Sequence, residues 1–438
     1  MADVSHRLAN RILLGLVIGI VLGVITLALG QVYPALLDGA RRFSTAVLDP
    51  FGQIFLRLLF FVVIPLVLAS LAAGVAQLGN LSKLGPLAGR TFGLFVLNMA
   101  IGVALGLLMM DVLEPGARLT PEARESLLAE YGGDAQRHVA TSASQPKLSF
   151  AVLVDMFMPR NLLGAVAGGS RNALGEVLPL IVFAILIGAV ATQMSDARKQ
   201  KVQDALELLT ELMTGIVHFA LRLAPYAVPA MIFSVVVKIG LGIVIALGVF
   251  VAGCLGVMAL HLFGSMAVLL RLLSRHRPLE FFRAIRPVLV TAFSTSSSAA
   301  TMPTAIAVAR DSLRVSPSTS GFVIPLGATM NMSGTALYEG CVVLFVAQVF
   351  GVDLSLAQQL TLLVLSVISA VAVAGIPGGS LPLIAGLLAT FGIPPEGIGI
   401  ILGVDRLLDM ARTAVNVGAD VVTTVIVDDR SSAPTEHP

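Results

Sequence analysis

Apolar runs of about 18 residues or more recur along the chain, each long enough to cross a bilayer as a helix. They lie near 12–34, 46–78 and 88–112, and again at roughly 198–236 and 239–272. Residues 113–148 break the pattern: Glu114, Glu122, Glu125, Glu130 and Asp134 stand among Arg, Gly, Ser and Pro. That stretch predicts a solvated loop with a short helix at PEARESLLAEY. Apolar character returns in pieces between 149 and 194, interrupted by MPRN and AGGSRN.

The last third is patterned differently. A Ser/Thr-rich interruption, FSTSSSAATMP (293–303), is followed by an apolar segment broken by GATMNMSGTALYEG (327–340). A Gly/Pro-rich interruption, AGIPGGSLP (374–382), then leads into GIGIILGV, DRLLDMARTAVNVGAD (405–420) and VVTTVIV. The order is broken segment, polar-notched helix, broken segment, polar-notched helix, a twofold repeat of architecture. Interrupted hydrophobic segments in matching positions of two repeats point to a transporter's binding site. Backbone leaves the helix at membrane depth only where protein buries it or water reaches it. The two breaks therefore predict two hairpins that enter the membrane and return, in preference to ordinary loops outside it.

Composition sharpens the class. Of 438 residues 56% are hydrophobic and 12% charged, against roughly 25% charged in soluble domains, so the chain is a polytopic α-helical membrane protein. A net charge of +2 is too small to suggest a nucleic-acid partner, and the partner the composition implies is the lipid bilayer. Cys254 and Cys341 lie in apolar stretches without metal-ligand spacing and read as buried structural thiols. Arg7 and Arg11 precede a long apolar run with no A-x-A-like cleavage site, which favours a first transmembrane helix over a signal peptide. Lys83, Arg90, Arg198, Lys199, Lys201, Arg271, Arg275 and Arg277 fall on one side, opposite the acidic 113–148 loop. By the positive-inside rule that side is cytoplasmic, although Arg41 and Arg42 run against it.

At 100° per residue, Asp405, Asp409, Arg412, Asn416 and Asp420 fall within an arc of about 80°, with Thr413 beside it. One reading is a salt-bridged stripe that joins helices, since Asp409 and Arg412 are i, i+3. Asp405 and Asp420 then need other partners, and ionisable groups at membrane depth mark pathways or sites. Arg412 offers a fork suited to a carboxylate, and Asp409 an acceptor for an ammonium. Asp420, Asn416, Asn331 and carbonyls near Gly327 make a hard oxygen cluster suited to an alkali cation. The Ser-rich tip offers free N–H groups at a helix start, an anion cradle. A molecule with two carboxylates and one amine would satisfy these groups. A serine hydrolase using Ser296, Ser297 or Ser298 needs a base. His437 and no lysine follow His276 in the C-terminal third, leaving only His218, His261 or Lys238 from earlier helices. The chain is therefore not read as an enzyme. A passive channel lined by the same notches is the other alternative, and specific charge pairs fit alternating access better.

At these residues the sequence resembles the dicarboxylate/amino acid:cation symporter family, which includes the excitatory amino acid (glutamate) transporters. FSTSSSAATMP, PLGATMNMSGTALYEG, AGIPGGS and DRLLDMARTAVNVGAD carry the resemblance in the family's order and spacing, with weaker likeness in IPLVLASLAAGVAQLG (64–79) and VLPLIVFAILIGAVA (177–191). The resemblance implies eight transmembrane helices plus two re-entrant helical hairpins, inverted repeats, an elevator-type movement, and a homotrimer in the inner membrane with a cytoplasmic C-terminus. Residues 1–112 would be N-terminal scaffold helices and 113–148 an extracytoplasmic loop. Residues 149–277 would hold the remaining scaffold and linking helices, 278–428 the transport core, and 429–438 a cytoplasmic tail.

Carried onto matching positions, the family places the substrate's side-chain carboxylate on Arg412 and its amino group on Asp409. Thr413, Asn416, Thr335 and Ser298 would add hydrogen bonds, and backbone around Ile376 and Gly378 would close the second hairpin. Asp420, Asn416, Asn331 and the Gly327 carbonyl match one sodium site. A second, mostly backbone site falls around Thr329 and residues 370–373. Having both Arg412 and Asp409 implies aspartate or glutamate, with C4-dicarboxylates as the alternative, and no cofactor beyond the coupling ion. Two departures stand out. Ser333 replaces an acid in NMSGT, and Asn98 and Met99 stand where relatives carry a Thr-Ser pair. The third sodium site is therefore expected to be absent, and coupling to run on Na⁺, H⁺ or both. Ser296 stands where some relatives carry Arg, and Met410 follows Asp409 where others do.

Overall fold

The computed structural model of the protein describes residues 2–78, 86–119, 158–167, 177–372 and 380–431. Among them every regular element is helical. The first half contains α1 (Ala2–Val32), α2 (Pro34–Phe43), α3 (Asp49–Phe61), α4 (Val63–Leu78) and α5 (Pro86–Leu113). It continues with α6 (Leu162–Ala167), α7 (Val177–Thr192), α8 (Asp196–Leu221), α9 (Ala224–Ile239) and α10 (Leu241–Leu260). A π-helical turn, His261–Ser265, joins α10 to α11 (Met266–Leu273), and α12 (Pro278–Ala284) follows. The last third holds α13 (Arg286–Thr295), α14 (Ser298–Asp311), α15 (Pro317–Met330), α16 (Ser333–Phe350), α17 (Leu356–Ala372), α18 (Leu381–Thr390) and α19 (Leu402–Ser431).

Two long runs are divided where the sequence reads them as single. The 46–78 run turns at Val62, and the 198–236 run is interrupted at Arg222–Leu223. Pro225 explains the second break, because it lacks the N–H that would continue the ladder and instead sits in the first turn of α9. At the other end α19 runs on to Ser431, past the expected boundary at 428. Its last turn is tied down: Asp428 accepts from the Ser316 hydroxyl at 2.7 Å, and Asp429 from the Ser274 hydroxyl at 2.5 Å.

Burial separates an outer and an inner set. In the apolar windows of Leu14–Val32, Leu87–Arg118 and Leu241–Leu273, 28–44% of residues are buried, against 94% in Pro317–Phe350 and 89% in Leu402–Asp429. The outer helices thus keep apolar faces uncovered by the chain itself, as a membrane-spanning helix does, whereas α15, α16 and α19 are enclosed by protein. Helices α13, α15 and α16 pack directly on α19, and α5 packs along α16.

The Ser/Thr-rich interruption and the one at 327–340 are true helix breaks, and residues 373–379 of the Gly/Pro-rich one lie outside the described residues. Ser296 adopts φ 50°, and Ser297 caps α14 by accepting from the Ala300 amide at 3.2 Å. Asn331 and Met332 leave the helical region between α15 and α16, with φ/ψ of −108/70° and −98/59°. Helices α13 and α14 have 10 and 14 residues. At 1.5 Å per residue those are about 15 and 21 Å, short of an apolar core of about 30 Å. Helix α18, after the second interruption, has 10 residues.

Candidate functional site

The polar stripe of α19 faces the break between α15 and α16. Asp405, Asp409, Arg412, Thr413, Asn416 and Asp420 are all buried there. Two glycines permit the approach. A side chain at Gly327 would collide with the Asp420 carboxylate, and one at Gly334 with the Arg412 carbonyl.

Asn416 joins the two helices. Its Oδ1 accepts from the Gly334 amide at 2.8 Å and the Thr335 amide at 3.2 Å, and its Nδ2 donates to Thr335 Oγ1 at 3.1 Å. A residue on α19 thereby satisfies two of the N–H groups that the start of α16 leaves without helical partners. One turn along, Asn331 Nδ2 donates to Asp420 Oδ1 at 2.9 Å, while the buried Asn331 Oδ1 has no hydrogen-bond donor. The Gly327 carbonyl accepts the Asn331 amide at 2.9 Å and keeps a second lone pair. Carboxylate, amide oxygen and carbonyl are hard donors at one helix break, a set that fits a small hard cation rather than a transition metal. Among the described residues no group of three or more His, Cys, Asp or Glu side chains converges. Thr329 contributes differently: its side chain is exposed and its hydroxyl donates to the Leu326 carbonyl at 2.9 Å.

Arg412 is held from several directions. Its Nε donates to Asp409 Oδ1 at 2.8 Å, and its Nη1 donates to Ser380 Oγ. The guanidinium carbon lies 5.5 Å from the centre of the Tyr338 ring, within cation–π reach. The Tyr338 hydroxyl donates in turn to Asp405 Oδ1 at 2.9 Å. Arg406, on the shoulder of the stripe, places Nη1 3.4 Å from Asp409 Oδ2. Thr413 spends its hydroxyl hydrogen on the Asp409 carbonyl at 2.8 Å. Ser298 opens α14 and is buried. Ile376 and Gly378 lie outside the described residues.

Full-length likeness to known transporters accompanies this geometry. The family model described as the sodium:dicarboxylate symporter family matches residues 8–430. The chain belongs to the sodium:dicarboxylate symporter family. Family relatives include the proton/sodium-glutamate symport protein of Bacillus caldotenax, 31% identical over 92% of each chain. The proton/glutamate-aspartate symporter of Escherichia coli K12 is 28% identical over 98% of this chain and 93% of its own. A C4-dicarboxylate transport protein of Bacillus subtilis is 25% identical over 87% and 86%. The family is one of symporters rather than enzymes, and the protein is an integral membrane protein.

Several polar groups at the site escape a reading of the sequence. Glu339 is completely buried in α16, and neither carboxyl oxygen has a hydrogen-bond donor. Its signal was present in LYEG, a lone acid in an apolar helix. Tyr338 and Ser380 gave no such signal. The departing residues Asn98, Met99 and Ser333 are all buried: Asn98 Nδ2 donates to Thr423 Oγ1 at 3.1 Å, while Asn98 Oδ1 and the Ser333 hydroxyl have no hydrogen-bond partner. Gly102, one turn beyond Asn98, lies against the Ser333 carbonyl and His261 Nε2.

Proposed function

We propose that the protein is a secondary active symporter that takes up acidic amino acids, L-aspartate and L-glutamate, together with Na⁺, H⁺ or both. One observation carries the reading: Arg412 and Asp409 lie side by side with side chains 3% and 2% exposed, inside a helix that protein encloses. Opposite charges at that depth suit a zwitterion that brings both partners with it. The relatives named for glutamate and aspartate point the same way.

In this reading Arg412 takes the side-chain carboxylate and Asp409 the ammonium. Thr413, Asn416, Thr335 and Ser298 surround the remainder, and the backbone near Ile376 and Gly378 closes over it. Gly327, Asn331, Asn416 and Asp420 hold a sodium ion, and the Thr329 backbone, in the last turn of α15, belongs to a second. The site that would need an acid at 333 is lost, with Asn98 bonded to Thr423 instead. Residues 278–428 form the transport core, with α13–α14 and α17–α18 as re-entrant hairpins, and this core slides against a scaffold built from residues 1–112 and 149–277. Eight transmembrane helices, a homotrimer in the inner membrane, an extracytoplasmic loop at 113–148 and a cytoplasmic tail complete the reading.

The test is uptake of radiolabelled L-aspartate into proteoliposomes at clamped voltage, under an inward sodium or an inward proton gradient. Accumulation under either supports the reading and names the driving ion. No accumulation under both gradients together overturns it.

A further inference from the structure

Asp409 is faced by two guanidiniums, one at each carboxylate oxygen. Arg412 Nε meets Oδ1 at 2.8 Å, and Arg406 Nη1 meets Oδ2 at 3.4 Å. The contacts are unequal. At Asp409 the Arg412 contact has the usual length for a charge-assisted bond, and the Arg406 contact exceeds it. Arg406 is also the more exposed, at 11% of its side chain against 3% for Arg412. Of the two contacts at Asp409, the one with Arg406 is therefore the weaker, and the one for which a ligand's ammonium can substitute.

We infer that Arg406 sets the substrate range of the site by standing in for the amine that some substrates lack. The inference rests on the reading of Arg412 and Asp409 as the acidic-substrate pair. An amino acid brings an ammonium, which takes Oδ2 and releases Arg406 toward the rim. A C4-dicarboxylate brings no cation, and Arg406 stays on Oδ2. The four charges of this turn, Asp405, Arg406, Asp409 and Arg412, sum to zero before a ligand arrives. Removing Arg406 leaves a net negative charge in a buried setting. Aspartate, at net −1, still brings an ammonium to Asp409 Oδ2, whereas succinate, at net −2, brings none. Depriving a buried carboxylate of a charged partner is costly, so the penalty falls on the amine-free substrate. The chain's likeness to both glutamate and C4-dicarboxylate transporters accords with a site that accepts both.

The experiment measures radiolabelled L-aspartate uptake by the full-length protein in proteoliposomes, with unlabelled succinate as competitor. The readout is the ratio of the succinate inhibition constant to the aspartate KM. Wild-type uptake is expected to be inhibited by succinate. In Arg406→Gln, aspartate uptake persists and the ratio rises at least about tenfold, equivalent to 1.4 kcal/mol. An unchanged ratio, or wild-type uptake blind to succinate, overturns the inference and leaves the acidic amino acid reading standing. Wild type that takes up no aspartate overturns both. Should Arg406→Gln be inactive toward both substrates, Arg406→Lys decides. Its shorter, single-point ammonium loses reach to Oδ2, so the ratio rises at least about threefold; a ratio equal to wild type overturns the inference.

Discussion

Asn416 and Thr335 are bonded to each other twice, 81 residues apart in the chain: the amide oxygen of Asn416 accepts the Thr335 N–H, and its nitrogen donates to the Thr335 hydroxyl. The pair fastens the start of α16 to the middle of α19. Asn416→Ala removes a cap and leaves buried donors unpaired, costing about 1–3 kcal/mol. A lower melting temperature of the detergent-solubilised protein and loss of aspartate uptake are expected. Asn416→Asp keeps the acceptor for both amides and should melt closer to wild type. Equal melting of all three would remove the fastening role.

Arg412 is the group on which the substrate assignment turns. Truncating one partner of a buried charge pair costs about 2–5 kcal/mol, so Arg412→Ala should weaken aspartate by about two orders of magnitude or more. The measurement is the concentration dependence of uptake, and wild-type affinity in the variant would sink the assignment.

At Asp420 the effect should be on the ion. Asp420→Asn preserves shape and the reach to Asn331 but removes the charge from the oxygen cluster at the α15–α16 break. The sodium concentration for half-maximal uptake is expected to rise at least about tenfold, the 1.4 kcal/mol equivalent of weakening one charged ligand. A sodium titration unaffected by the substitution would place the ion elsewhere.

Glu339 offers a test of proton coupling. It is a completely buried carboxyl with neither oxygen hydrogen-bonded, and glutamine is its near-isostere. In Glu339→Gln, uptake driven by sodium is expected to persist while stimulation by an inward proton gradient disappears. Stimulation that survives would assign proton movement to another group.

The legible parts of this molecule are those written as a period. Runs of apolar residues announced the helices, and a 100° repeat put Asp405, Asp409, Arg412, Asn416 and Asp420 on one buried face. Ser296 and Asn331 announced breaks because Ser-, Asn- and Gly-rich stretches disfavour helix interiors. Pairings across distance had no such mark. Nothing in the spacing of Asn416 and Thr335, of Tyr338 and Asp405, or of Ser380 and Arg412 says that they meet, because packing of separate helices brings them together. Glu339 was visible as a letter but not as a pattern, since a single acid in an apolar helix has no period. The break at Arg222–Leu223 was hidden by apolar residues on both sides of Pro225.

The glycine contacts at the α15–α16 break have a mechanical consequence. Gly327 lies against Asp420 and Gly334 against the Arg412 backbone, while Asn331 and Asn416 bond across the same seam. The groups assigned to the cation and those assigned to the substrate are therefore parts of one stiff block. In the proposed movement, turning that block toward one face of the membrane would present both loads to the same compartment at the same moment.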